Sequence, residues 1–123
     1  MENTLYDKIG PEVLQQLVDT FYDLVFKDPI ISPLFVTDKN IIKEKQFKFL
    51  TQFLGGPGLY TEQYGHPRMR ARHMPHPIAE EHAVAWLKCM YEAIQTLPLD
   101  ETLKAELFDR FPNTAFFMVN KTD

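Results

Sequence analysis

The chain reads as an all-α protein, and three observations carry that reading. Apolar residues recur at spacings of three and four through most of its 123 residues, no segment alternates as a strand does, and glycines and prolines mostly punctuate the periodic stretches. The first helix starts at Pro11, where a proline sits well in a first turn. It carries Leu14, Leu17, Val18, Phe21, Tyr22 and Val25 on one face and is closed by Asp28-Pro29. Ile30 to Phe35 is apolar but proline-edged, too short for more than a turn or two. A second helix spans Lys39 to Leu54, ended by Gly55-Gly56-Pro57-Gly58, and Gly55 to Gly65 reads as a loop.

After Pro77 comes a long helix with Ala83, Trp86, Leu87, Met90 and Ile94 on one side, ending near Pro98. A last helix follows Asp100, a good N-cap, and carries Leu103, Leu107, Phe111, Ala115 and Met118. Pro112 lies inside it and predicts a kink or break, because proline lacks the N–H that a helix interior needs.

Composition narrows the function classes. Hydrophobic residues are 45% and charged residues 24%, as in an ordinary soluble protein, and the chain is sized for one domain over residues 1–123. Thirteen basic against 17 acidic residues give a net charge of −4, which argues against nucleic acid as a partner. No apolar run is long enough to span a bilayer and MENTLYDKIG has no signal pattern, so neither a membrane nor export is expected, and the location is read as cytoplasmic. Cys89 is the lone cysteine and reads as a small buried hydrophobe, consistent with a reducing compartment.

One segment stands apart. Pro67 suits a first helical position and Pro75 cannot continue a helix, so only Pro67 to about Met74 can be helical. Met69 and His73 share a face of that short helix, flanked by Arg70 and Arg72. Such a clip aims an imidazole at a fixed point, such as a metal in an apolar slot, with cations near for an anionic group. His66 reads as a helix-start residue with local hydrogen bonds, and His76 and His82 as surface residues. A bare metal site built from these four histidines is disfavoured. Pro75 breaks the spacing that would face them together, and no CxxC or HExxH pattern is present.

With its GGP and GHP turns, the RARHMP segment, Phe21-Tyr22, the KQF of Lys45 to Phe47, and Trp86, nearly the whole chain resembles the group II (O-type) truncated haemoglobins of bacteria. The resemblance implies the truncated globin fold, two antiparallel helix pairs crossed two over two, enclosing haem b (iron protoporphyrin IX). Those pairs would be the helices around Tyr22 and Gln46, and those around Trp86 and Leu107. It implies His73 as proximal iron ligand, and dioxygen or another diatomic ligand on the opposite face met by Tyr22, Gln46 and Trp86. Phe35 would wedge against the haem plane, and Ile42, Phe49, Phe53 and Met69 would line the pocket. Lys45, Arg72 and Tyr60 would face the haem propionates.

Three positions depart from the family pattern: Ile42, whose bulk would narrow ligand entry, His76 in place of an aromatic, and Pro112. The function so implied is reversible binding of a diatomic ligand at ferrous iron. The alternative is a haem-dependent redox enzyme, acting on nitric oxide or peroxide, which needs a separate reductase because the chain has no flavin or nicotinamide motif. A monomer or a homodimer fits either reading.

Overall fold

A computed structural model of the chain describes residues 4–35, 38–65, 78–117 and 119. The first element, α1 (Leu5–Ile9), is one that periodicity misses, since five residues are too few to show it. It forms because its ends are satisfied locally. The Thr4 hydroxyl accepts from the Asp7 N–H at 3.1 Å, while the Asp7 carboxylate accepts from the Thr4 N–H at 3.2 Å. Gly10, at φ 86°, then turns the chain straight into α2 (Pro11–Lys27).

Helix α2 buries Leu14, Leu17, Val18, Phe21, Tyr22 and Val25, the face expected from their spacing. Asp28 stops it and shapes the next turn, its carboxylate accepting from the N–H groups of Ile30 at 2.8 Å and Ile31 at 3.2 Å. A single 3-10 turn, Ser32–Leu34, follows and delivers Phe35. Asp38 caps α3 (Lys39–Phe53) by accepting from Asn40 and Ile41. Lys39 and Lys43 tie this helix to Asp23 and Asp19 of α2, at 2.7 Å and 3.4 Å.

Where the sequence reads as a loop from Gly55 to Gly65, the structure has a further helix, α4 (Leu59–Tyr64). The reason is tertiary. Gln52 of α3 grips its first turn from both sides, donating from Nε2 to the Thr61 hydroxyl at 2.7 Å and accepting from the Thr61 N–H at 3.0 Å. The clip from Pro67 to Met74 lies outside the described residues.

Helix α5 (Glu80–Gln95) buries Ala83, Ala85, Cys89, Met90, Ala93 and Ile94. His82 is not the plain surface residue its position on the polar edge suggested. It is half-buried, and its Nδ1 accepts from the Ala79 N–H at 2.8 Å, so it caps the helix. The last stretch is divided, as Pro112 predicts, into α6 (Glu101–Phe108), capped by Asp100, and α7 (Pro112–Phe117). Phe111 lies in the break and is buried.

Helix α2 packs against both α3 and α5, and α5 against α6 and α7, so α2 and α3 form one layer over the other three. No strand occurs and no helix is long and apolar enough to cross a membrane among the described residues.

Candidate functional site

The three long helices are not equally covered. Six side chains are buried on α2 and six on α5, but on α3 only Leu50 and Thr51 are. Ile42, Phe47, Phe49 and Phe53 of α3 are apolar yet only partly buried, although all pack against the core. Apolar rings leave water at a gain of roughly 25 cal/mol per Å². Helix α3 thus forms a wall with four apolar side chains only partly covered.

Five of the residues singled out from the sequence are linked by a chain of ring contacts that begins on this helix. Phe49 and Phe53 stack at 5.5 Å, Phe53 reaches Phe111 at 5.7 Å, and Phe111 reaches Trp86 at 5.7 Å. Trp86 packs edge-on against Phe21 at 5.0 Å, and Phe21 against Tyr22 at 4.9 Å. Tyr22 continues to Phe35 at 6.0 Å. These centroid separations lie in the range where edge and offset ring packing is favourable. Tyr22, Phe35, Phe49, Phe53 and Trp86 thus belong to one connected aromatic lining, drawn from α2, the turn after it, α3 and α5. Phe21 and Phe111, which join its parts, carry no site role in the sequence, although Phe21 belongs to the motif behind the family resemblance.

Tyr22 is the buried polar group of this lining, with 3% of its surface exposed. Burial pushes its phenol well above the ordinary tyrosine value, so it stays protonated and able to donate. Gln46 is half-buried on the same helix as Ile42 and Phe49, and Trp86 is half-buried, offering an indole N–H.

Beside Gln46 on α3 the polar candidates divide. The Lys45 ammonium lies over the Tyr64 ring at 5.1 Å, and that of Lys48 over the same ring at 5.9 Å. Lys48 also pairs with Glu44 at 3.1 Å and with Gln63. Tyr60 is buried, tilted against Tyr64 at 5.0 Å and meeting Phe49 edge-on at 5.8 Å. Lys45 and Tyr60 are therefore brought together through Tyr64. Tyr64 had no signal in the sequence, because its helix read as loop. His73, Met69 and Arg72 lie outside the described residues.

Cys89 is buried in α5, as read. Burial, with Asp28 and Glu92 adding to it and Lys88 opposing, pushes its thiol up to about 11, so it remains neutral.

Comparison with known proteins accords with this arrangement. Residues 4–120 match the family described as bacterial-like globin. The chain is 50% identical to a group 2 truncated hemoglobin of Bacillus subtilis over 121 residues, covering 98% of this chain and 92% of that one. Its fold is similar to the crystal structure of the group II truncated hemoglobin of Bacillus anthracis, with a TM-score of 0.95 at 43% identity over 100% of this chain and 95% of that one. It is also similar to the X-ray structure of a truncated oxygen-avid haemoglobin of Bacillus subtilis, with a TM-score of 0.91 at 50% identity over 96% and 100% of the two chains. With the family matched over nearly its whole length and the helical layers alike, this chain belongs to the bacterial-like globins, among the group II truncated haemoglobins.

Proposed function

We propose that the chain, acting as one domain, binds haem b and holds dioxygen or another diatomic ligand at ferrous iron. The observation that carries this is the half-covered apolar face of α3, which a planar apolar group would finish burying. Family membership and the similarity to an oxygen-avid relative support it. The residues present fit such a group. They offer rings from α2, α3 and α5, a buried phenol that stays protonated, and a lysine whose ammonium lies over the Tyr64 ring.

Haem, when bound, supplies the iron that takes the ligand, and the chain's residues set its surroundings. In this reading His73 would hold the iron through an imidazole nitrogen, and Phe35, Ile42, Phe49, Phe53 and Met69 would exclude water. Tyr22, Gln46 and Trp86 donate hydrogen bonds to a ligand that carries partial negative charge. Lys45, Arg72 and Tyr60 would hold the haem propionates. Ile42 stands one turn from Gln46 and narrows the approach. A cytoplasmic location and a separate reductase, which would restore ferrous iron, complete the proposal.

The test is spectroscopic. The purified chain should show haem absorption, shift on reduction and again on exposure to dioxygen, and lose haem on replacement of His73. A colourless chain that takes up no added haem would overturn the reading.

A further inference from the structure

The aromatic lining does not end at the pocket. From Trp86 it runs through Phe111 at 5.7 Å, Phe53 at 5.7 Å, Phe49 at 5.5 Å and Tyr60 at 5.8 Å to Tyr64 at 5.0 Å, without a missing contact. Its two ends differ from its middle in chemistry. Trp86 is the only tryptophan of the chain, and Tyr60 and Tyr64 are two of its five tyrosines. Indole and phenol give up an electron far more readily than the phenylalanine rings between them. A core needs apolar filling, but it does not need oxidisable rings at both ends of a continuous string of ring contacts that runs from the buried core to a partly exposed tyrosine.

We propose that this string is an electron relay, in which an oxidised Trp86 is re-reduced by a tyrosine of α4 and the oxidising equivalent emerges at Tyr64. In the forward step a peroxide-class oxidant in the pocket removes one electron from Trp86, whose indole N–H proton goes to solvent. Two such electrons and two protons reduce one hydrogen peroxide to two waters. The Trp86 radical then takes an electron along the string and a proton from solvent, which restores the indole. Tyr64 supplies that electron and releases its O–H proton to water, leaving a neutral phenoxyl. An external hydrogen-atom donor, such as a small phenol, can quench it there.

The opposite branch of the lining is a poorer route. Tyr22 is linked to Trp86 through Phe21 alone, but it is buried, and a phenol that loses an electron must also lose its proton. Its raised pKa reflects the same obstacle. Tyr64 is only partly buried, so the proton it must lose can pass directly to water. Tyr91 contacts only Phe108 among the ring pairs and lies off the string, so it serves as a control.

This inference rests on the haem reading only for the source of the oxidant, and its test bypasses that source. Azide radicals generated by pulse radiolysis of the full chain as purified, without added reductant, oxidise Trp86 directly. The indolyl signal should decay as a tyrosyl signal grows, at a rate independent of protein concentration. The Tyr60→Phe/Tyr64→Phe double variant should lose that growth, the Tyr64→Phe variant should lose most of it, and Tyr91→Phe should keep it. Unchanged tyrosyl growth in the double variant, its loss in Tyr22→Phe, or its absence from the unaltered chain would each overturn the relay. Circular dichroism checks the helices first, and if the double variant is not folded Tyr64→Phe alone decides. A chain that relays electrons but binds no haem leaves this inference standing and removes the other.

Discussion

Tyr22 and Trp86 both meet Phe21 edge-on, with centroids 4.9 and 5.0 Å from its ring, so one fully buried side chain sets the positions of both proposed donors. The two come from different helices, α2 and α5, and Phe21 is the neighbour of one and the packing partner of the other. Their hydrogen-bonding ends are thereby fixed by core packing, which protein interiors hold to crystal-like density. A donor held this way loses little freedom when a ligand arrives.

Replacing Tyr22 or Trp86 by Phe should each speed dioxygen release by about tenfold or more. A hydrogen bond to a partly charged acceptor contributes about 1.5–3 kcal/mol, and about 1.4 kcal/mol is a factor of ten. Association should change less, and carbon monoxide release only weakly, because that ligand bears less negative charge. The double variant should depart from additivity, since both donors share one acceptor. Stopped-flow release of both gases checks this. Equal shifts for both gases would mean that the residues only fill the core.

His73→Gly should lose stable haem, or leave an iron that accepts added imidazole, as the absorption spectrum would show. Haem removal from the unaltered chain should also lower its melting temperature, because a ligand that binds only the folded state stabilises it by mass action. The described wall of Phe35, Phe49 and Phe53 predicts where that loss is felt. Protection from hydrogen exchange should fall more in α3 than in α2, which is buried independently. Equal melting of haem-bound and haem-free protein would count against a pocket on α3.

Gly56→Ala should destabilise the fold by about 1–3 kcal/mol, the usual cost of overpacking. A Cβ there would stand 2.6 Å from the Tyr6 ring and 2.9 Å from the Thr51 carbonyl oxygen. The Tyr6 N–H donates to the Leu54 oxygen at 3.0 Å, so α1 is bound to this turn and cannot retreat without losing that bond. Gly58→Ala, with its nearest neighbour at 3.6 Å, should change stability by less than about 1 kcal/mol. Urea unfolding of the two variants measures the contrast, and similar midpoints would refute it.

Stability should fall as pH rises from about 9 toward 11. The Cys89 thiol has its folded value raised from near 9 to about 11, so its contribution is complete below the unfolded value and is lost as pH climbs through the folded one. Tyr22 is displaced in the same direction and extends the loss to higher pH. Cys89→Ala should flatten the first part of this decline in urea midpoints taken between pH 7 and 11. An unchanged slope in that variant would assign the decline to other groups.

How far each element was legible follows from where its stabilising contacts lie. Helices α2, α3 and α5 declare themselves because their packing repeats along the chain. Leu14 to Val25 share a face by spacing alone, and Asp38 and Asp100 cap their helices with atoms two or three residues away. The break at Pro112 is equally local, since the missing N–H belongs to the residue itself. The family, too, was readable from motifs along the chain, because turns such as GGPG owe their glycines to backbone demands at those positions. What only the tertiary structure decided depends on partners remote in sequence. Helix α4 exists because Gln52 grips Thr61, and a six-residue segment has no periodicity to announce that. Tyr64 gathers Lys45, Lys48 and Tyr60 only once α4 lies beside α3. The union of Tyr22, Trp86 and Phe53 through Phe21 and Phe111 likewise arises from the crossing of layers, which fixes distances that no spacing along the chain encodes.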